Sequence, residues 1–176
     1  MPLLYTIGHS NRSLEEFLSL LGSHSIELLA DIRTVPKSRH NPQFAREALA
    51  ASLPPAGIAY RHMPGLGGLR HPRHDSINLA WRNDGFRGYA DYMQTAPFRD
   101  ALEQLIAAAS SLRTAIMCAE AVPWRCHRSL VADALTAGGV EVRHIMSAAT
   151  ANLHKLTPFA HVEGTQVTYP GILPPD

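Results

Sequence analysis

The residues best equipped for chemistry lie between positions 116 and 128, in the run IMCAEAVPWRCHR. Cys118 and Cys126 supply sulfur, Glu120 and His127 supply proton carriers, and Arg125 and Arg128 supply planar cations suited to carboxylate or phosphate. RTAIMC reads as a buried strand ending at Cys118. A helix is expected from about residue 125 to 137, stopped by Gly138-Gly139. A cysteine and two arginines at a helix start sit where unpaired backbone N–H groups and the helix dipole favour negative charge. The chemistry this suggests is anion binding. Cys126 is the best nucleophile candidate, a thiol acidified by the helix start and the guanidinium groups. In the alternative reading Cys126 is a small buried hydrophobe and His127 a hydrogen-bonded structural group. Cys118 completes an apolar strand and reads as core that lines the site.

Other segments bring further candidates. In DIRTVPKSR, Asp31 ends a strand, and Arg33, Lys37, Ser38 and Arg39 could hold a phosphate or a carboxylate; an Asp31–Arg33 ion pair beside a solvated loop is the competing reading. Gly8, His9 and Ser10 follow the first strand. They form no phosphate loop, because the Gly-rich body and the lysine are missing, but His9 beside Asp31 or Glu120 is a candidate proton carrier. Residues 64–84 are irregular and rich in Gly, Pro, His and Arg, which marks a functional loop; Arg70 is its ligand-binding candidate and the loop a candidate lid. No metal site is expected, since HExxH and CxxC patterns are absent, and the sequence names no cofactor. Trp81, Phe86, Tyr89 and Tyr92 are more economically a helix face packing on the core than a base-stacking strip.

The elements that must position these groups alternate. Strands are expected at 3–8, 26–33, 57–63, 113–118 and 140–145. Helices are expected after an Asn11 or Ser13 cap, from Pro42 to about Leu53, around 86–94, and around 97–109 after a Thr95 cap. A small hairpin around Glu163-Gly164 is expected in the tail. Alternating strands and helices imply right-handed β-α-β units, hence a three-layer α/β/α, Rossmann-like fold with a mostly parallel central sheet. Ligands bind at the carboxyl edge of such sheets, and here five strand ends deliver polar groups to that edge. The expected organisation is one α/β domain over 1–146 with a C-terminal extension, 147–176, packed on it.

Composition narrows the classes. A chain of 176 residues with 45% hydrophobic and 18% charged residues is an ordinary globular protein. No apolar run reaches membrane-spanning length and no cleavable leader is evident, so a cytoplasmic protein with no membrane partner is expected. Two cysteines make no disulfide framework, and in a reducing compartment they would be free thiols. Fourteen of the sixteen Lys and Arg residues are arginine, yet the net charge of +1 is too small for a protein that coats duplex nucleic acid.

TIGHS (6–10), DIRTVPKSR (31–39), LGG (66–68), F-x-x-YA-x-YM (86–93), MCAE (117–120), CHR (126–128) and HI (144–145) together resemble the family called domain of unknown function 488. The resemblance runs to about residue 146 and implies a single compact α/β domain. It brings no mechanism. The spacing does not fit a thiol-phosphatase or rhodanese loop, because the first arginine after Cys118 is Arg125. The expected function is an Arg/Cys/His-lined pocket for a small anion (a phosphate, a nucleotide or a nucleic-acid end), in a thiol-dependent enzyme if it is an enzyme. The alternative is a non-catalytic module reading nucleic acid or protein, with structural cysteines.

Overall fold

The structure is a computed structural model describing residues 2–171; Met1 and residues 172–176, the last five of the expected extension, lie outside the described residues. Five parallel strands, β1 (Leu3–Gly8), β2 (Leu28–Asp31), β3 (Ala59–His62), β4 (Thr114–Cys118) and β5 (Glu141–Ile145), are joined by an antiparallel β6 (Ala151–Leu153) in the order β3-β2-β4-β1-β5-β6. Helices α1 (Leu14–Ser23), α2 (Arg46–Ser52), α3 (Asp84–Met93), α4 (Ala96–Ser111) and α5 (Arg128–Ala137) cover both faces. This is the expected three-layer α/β arrangement.

Side-chain alternation along the strands builds the two apolar layers. Tyr5 and Ile7 pack with Phe17, Leu21, Phe44 and Leu49 under α1 and α2. Leu4, Ile116 and Cys118 pack with Tyr89, Phe98, Leu105 and Leu130 under α3, α4 and α5. The connections through α1 and α2 run toward β3, whereas those through α4 and α5 run the other way. Right-handed crossovers therefore put the two sets on opposite faces. Strands β1 and β4 are neighbours whose following helices lie on opposite faces, so the topological switch point falls between Gly8 and Cys118, which are paired in register.

Several local expectations hold and others shift. Ser13 is the cap of α1, its hydroxyl accepting from the Glu16 N–H at 3.1 Å. Asn83 caps α3 by accepting from the Phe86 N–H, so that helix begins earlier than expected. The helix expected from Pro42 to Leu53 is broken: Pro42–Phe44 is a 3-10 turn, Ala45 is extended, and α2 starts at Arg46. The Arg33 guanidinium takes the Phe44 carbonyl at 2.7 Å, which withdraws that carbonyl from helical bonding. The helix expected from residue 125 starts at Arg128. Pro123–Arg125 form a 3-10 turn and Cys126 is extended.

The irregular segment between β3 and α3 is pinned to α3 over residues 73–78. The buried Asp91 carboxylate accepts from the Arg73 N–H at 2.8 Å, the Ser76 hydroxyl at 2.6 Å and the Asn78 amide at 2.7 Å. Beyond β6 the chain forms the expected hairpin, β7 (His161–Glu163) with β8 (Gln166–Thr168), and Tyr169 reaches back to donate to Asp133 on α5 at 2.6 Å.

Candidate functional site

A cavity of about 450 Å³ opens at the carboxyl edge of the sheet, beside the switch point. Its polar wall comes from Arg33, Lys37, Glu120, Arg125, Cys118, Cys126 and His127. Its remaining surface comes from Val35 and Leu69 on the rim and from Gly85 and Phe86 in the first turn of α3. Lys37 and Arg125 are exposed and make no ion pair among the described residues.

The sulfurs are the first correction. Cys118 and Cys126 meet in the cavity wall with their sulfurs adjacent, a pairing that the sequence reading of two separate free thiols did not anticipate. Beneath them lies Arg128, only 1% exposed. Its Nη1 donates to Cys118 Sγ at 3.1 Å and to the Glu120 carbonyl at 2.9 Å, while Nη2 donates to the Ala121 carbonyl at 3.3 Å. Its buried Nε has no partner. Burial pushes the guanidinium down to about 10, which leaves it charged at neutral pH. Among the described residues no carboxylate bridges to it, and Glu120 raises its pKa only at longer range. Arg128 is thus a buried cation answered by dipoles and sulfur.

Gly8 makes this crossing feasible. A Cβ there would stand 1.6 Å from the Glu120 carbonyl oxygen and 2.7 Å from Arg128 Nη1. Without it, the chain after β4 runs against the end of β1, with His9 N–H donating to the Cys118 carbonyl and Ser10 N–H to that of Ala119. The role of Gly8 is therefore close backbone approach. Ser10 sits in the left-handed region at φ 51 and its hydroxyl is turned to Asn11.

Around Cys126 the polarity is equally defined. The Arg128 backbone N–H points at Cys126 Sγ (3.4 Å), and His127 Nδ1 lies 3.4 Å from the same sulfur. His127 Nε2 lies 2.9 Å from the Ile32 carbonyl, an acceptor only, so Nε2 carries the proton and Nδ1 the lone pair. Burial lowers His127 to about 4, keeping the ring neutral at pH 7.

Other expected ligands are tied elsewhere. Arg33 is held by Asp31 in a buried bidentate pair (2.9 and 2.7 Å), and Tyr60 donates to the same carboxylate at 2.6 Å. The structural ion pair is the reading the geometry favours, although Arg33 still touches the cavity. His9 lies behind Arg33, stacked on Phe44. Its Nδ1 donates to the Ser10 carbonyl, leaving Nε2 to accept from Arg33 Nη1 at 3.4 Å. Burial is the first cause of its lowered pKa. Its place is under the wall, outside the cavity lining.

Three expected ligands fall away from the cavity. Ser38 accepts from the Asn41 N–H, Arg39 projects into solvent, and Arg70 lies over the Tyr92 ring at 3.7 Å while donating to the Gly67 carbonyl. The tight turn that joins Lys37 N–H to the Val35 carbonyl presents Lys37 to the cavity instead. Sequence reasoning missed Asn83, Gly85 and Phe86, since α3 was expected to start later. Among the described residues no group of three or more His, Cys, Asp or Glu is placed to hold a metal ion, and no helix is long and apolar enough to cross a membrane.

No curated protein and no solved structure matches this chain. A family model does, over residues 13–135; that span includes Asp31, Arg33, Lys37, Cys118, Cys126 and Arg128, and leaves the TIGHS and HI motifs outside. The cavity, its sulfur pair and the buried arginine behind it therefore rest largely on residues within the matched span, and the chain belongs to the family described as domain of unknown function DUF488.

Proposed function

We propose that the cavity binds a small anion bearing sulfur and that Cys118 and Cys126 exchange thiol and disulfide with it. The observation that carries this reading is Arg128, a buried guanidinium with no carboxylate partner among the described residues, whose Nη1 lies 3.1 Å from Cys118 Sγ. A buried unpaired charge is costly. The counter-charge it lacks is supplied when Cys118 becomes a thiolate, so reduction of the pair stabilises the surroundings of Arg128.

The exchange follows from the geometry. An incoming thiolate attacks Sγ of Cys126, the more exposed of the two cysteines. A new bond forms from substrate sulfur to Cys126, the Cys118–Cys126 bond breaks, and the electron pair goes to Cys118 Sγ beside the guanidinium. A second substrate thiolate then attacks the substrate sulfur of the mixed disulfide. It releases the substrate disulfide and leaves the electron pair on Cys126 Sγ, which accepts from the Arg128 backbone N–H. In reverse, Cys126 is the nucleophile. Lys37 and Arg125 supply positive potential at the mouth, and exposed Val35 and Leu69 offer apolar contact to the substrate body. Glu120 gives the wall its carbonyl for Arg128.

The test compares mercaptoacetate with 2-mercaptoethanol as reductants of the oxidised protein, each rate normalised to reduction of free cystine. The anionic thiol should be favoured by roughly tenfold, a preference that fades with salt. Equal normalised rates, or failure of either thiol to reduce the pair, would exclude the reading.

A further inference from the structure

A second cavity, of about 600 Å³, lies on the other side of the Pro123–Arg125 turn. Trp124 and Pro123 face it, while the next residues, Arg125 and Cys126, face the thiol pocket. Its flat surfaces are the rings of Trp81, Trp124 and Phe159, with Trp81 and Phe159 set edge-on at 4.9 Å. Trp124 is 66% exposed and stacks on no other ring among the described residues.

The floor is a chain of hydrogen bonds. The Asp133 carboxylate, 0% exposed, lies 2.8 Å from His154 Nε2; His154 Nδ1 lies 2.8 Å from His144 Nε2; His144 Nδ1 lies 2.6 Å from the Thr6 hydroxyl. A carboxylate only accepts, so with neutral rings each proton points one way: Thr6 to His144, His144 to His154, His154 to Asp133. Every ring nitrogen is occupied. Both histidines line the cavity as a fixed wall with no free lone pair to act as a base. Asp133 also accepts from the Thr157 N–H and hydroxyl and from Tyr169, which clamps the segment carrying Leu156 and Phe159.

The unsatisfied groups are different ones. Asn152, opposite His144 across β5 and β6, has an exposed side-chain amide with no hydrogen bond among the described residues, so one donor and one acceptor stand side by side at the cavity rim. The Nε1 of Trp81 is a buried donor without a partner. Aromatic faces with an adjacent donor–acceptor edge fit a flat ring carrying an acceptor next to a donor. We infer that this second cavity binds a planar nitrogen heterocycle of about nucleobase size, stacked on Trp124 and read at its edge by the Asn152 amide. The site is separate from the thiol pocket and does not depend on its chemistry.

Both tryptophans of the chain line this cavity, so intrinsic fluorescence reports on it directly. The full chain, titrated with adenosine as probe, should show a saturable change in tryptophan emission. Asn152→Ala, an exposed substitution, should weaken the apparent affinity by roughly tenfold, the usual order for losing a paired edge contact. Trp124→Leu should weaken it further, and Cys126→Ser should leave it unchanged. Cyclohexanol, apolar but not flat, should produce no saturable response. A strictly linear change with adenosine, an Asn152→Ala curve superimposable on the parent, or saturation by cyclohexanol at matching concentrations would overturn the inference.

Discussion

Two buried carboxylates anchor the two sides of this molecule, and they are satisfied in opposite ways. Asp31 sits under the thiol pocket and is neutralised by Arg33 in a bidentate pair. Asp133 sits under the aromatic cavity and has neither Lys nor Arg as partner; two hydroxyls, a backbone N–H and the His154 ring answer it. Arg128 inverts the first case, being a buried guanidinium with sulfur where a carboxylate would be expected. Both carboxylates are fully answered by the groups around them. At the cavity wall the Arg128 guanidinium is not, its Nε lacking a partner among the described residues and its Nη1 facing the Cys118 sulfur.

That contrast is open to attack by mutation. Asp31→Asn strands the Arg33 charge in the interior and should lower stability by about 4 kcal/mol, read by urea unfolding. Acid should produce an effect at least as large. His127 is held neutral down to about 4 and His144 to about 3 by burial, whereas the unfolded chain protonates its histidines near 6.5. The unfolded state thus binds more protons below that value, so stability falls as pH drops from about 6.5 to about 4, by about 3 kcal/mol for His127 alone. A melting temperature flat over that window would contradict the burial argument.

Asp133→Asn keeps an acceptor for neutral donors and should cost only about 1.5 kcal/mol. A loss as large as that of Asp31→Asn would collapse the contrast between the two carboxylates. Lys37→Ala with Arg125→Ala should change stability by less than about 0.5 kcal/mol, since both side chains are exposed and unpaired. The same pair should lose most of the preference for mercaptoacetate over 2-mercaptoethanol. A pair that keeps the preference would place the anion elsewhere.

The strand–helix alternation, the parallel sheet and the carboxyl edge were legible because strand runs such as LLYTIG and TAIMC carry their own periodic signal. The Ser13 cap and the tail hairpin were legible for the same local reason. The site was legible as a place but not as a set of contacts. Arg33, Arg39 and Arg70 look alike in sequence; only the fold shows one tied to Asp31, one in solvent and one lying over Tyr92. The meeting of Cys118 with Cys126 depends on Gly8 letting the chain cross β1, a tertiary fact with no local signature. Asp133 and His154 lie 21 residues apart, and nothing in their neighbours marks them as partners.

The most direct test of the central claim is peptide-resolved alkylation of the reduced protein at Cys126 by iodoacetate and by iodoacetamide across pH. An anion-attracting thiol pocket should give an apparent thiol pKa well below the ~8.5 of free cysteine. It should also give an iodoacetate-to-iodoacetamide rate ratio above that of free cysteine, falling toward that value when Lys37 and Arg125 are replaced by Ala. An ordinary pKa together with a ratio at or below that of free cysteine would contradict the account.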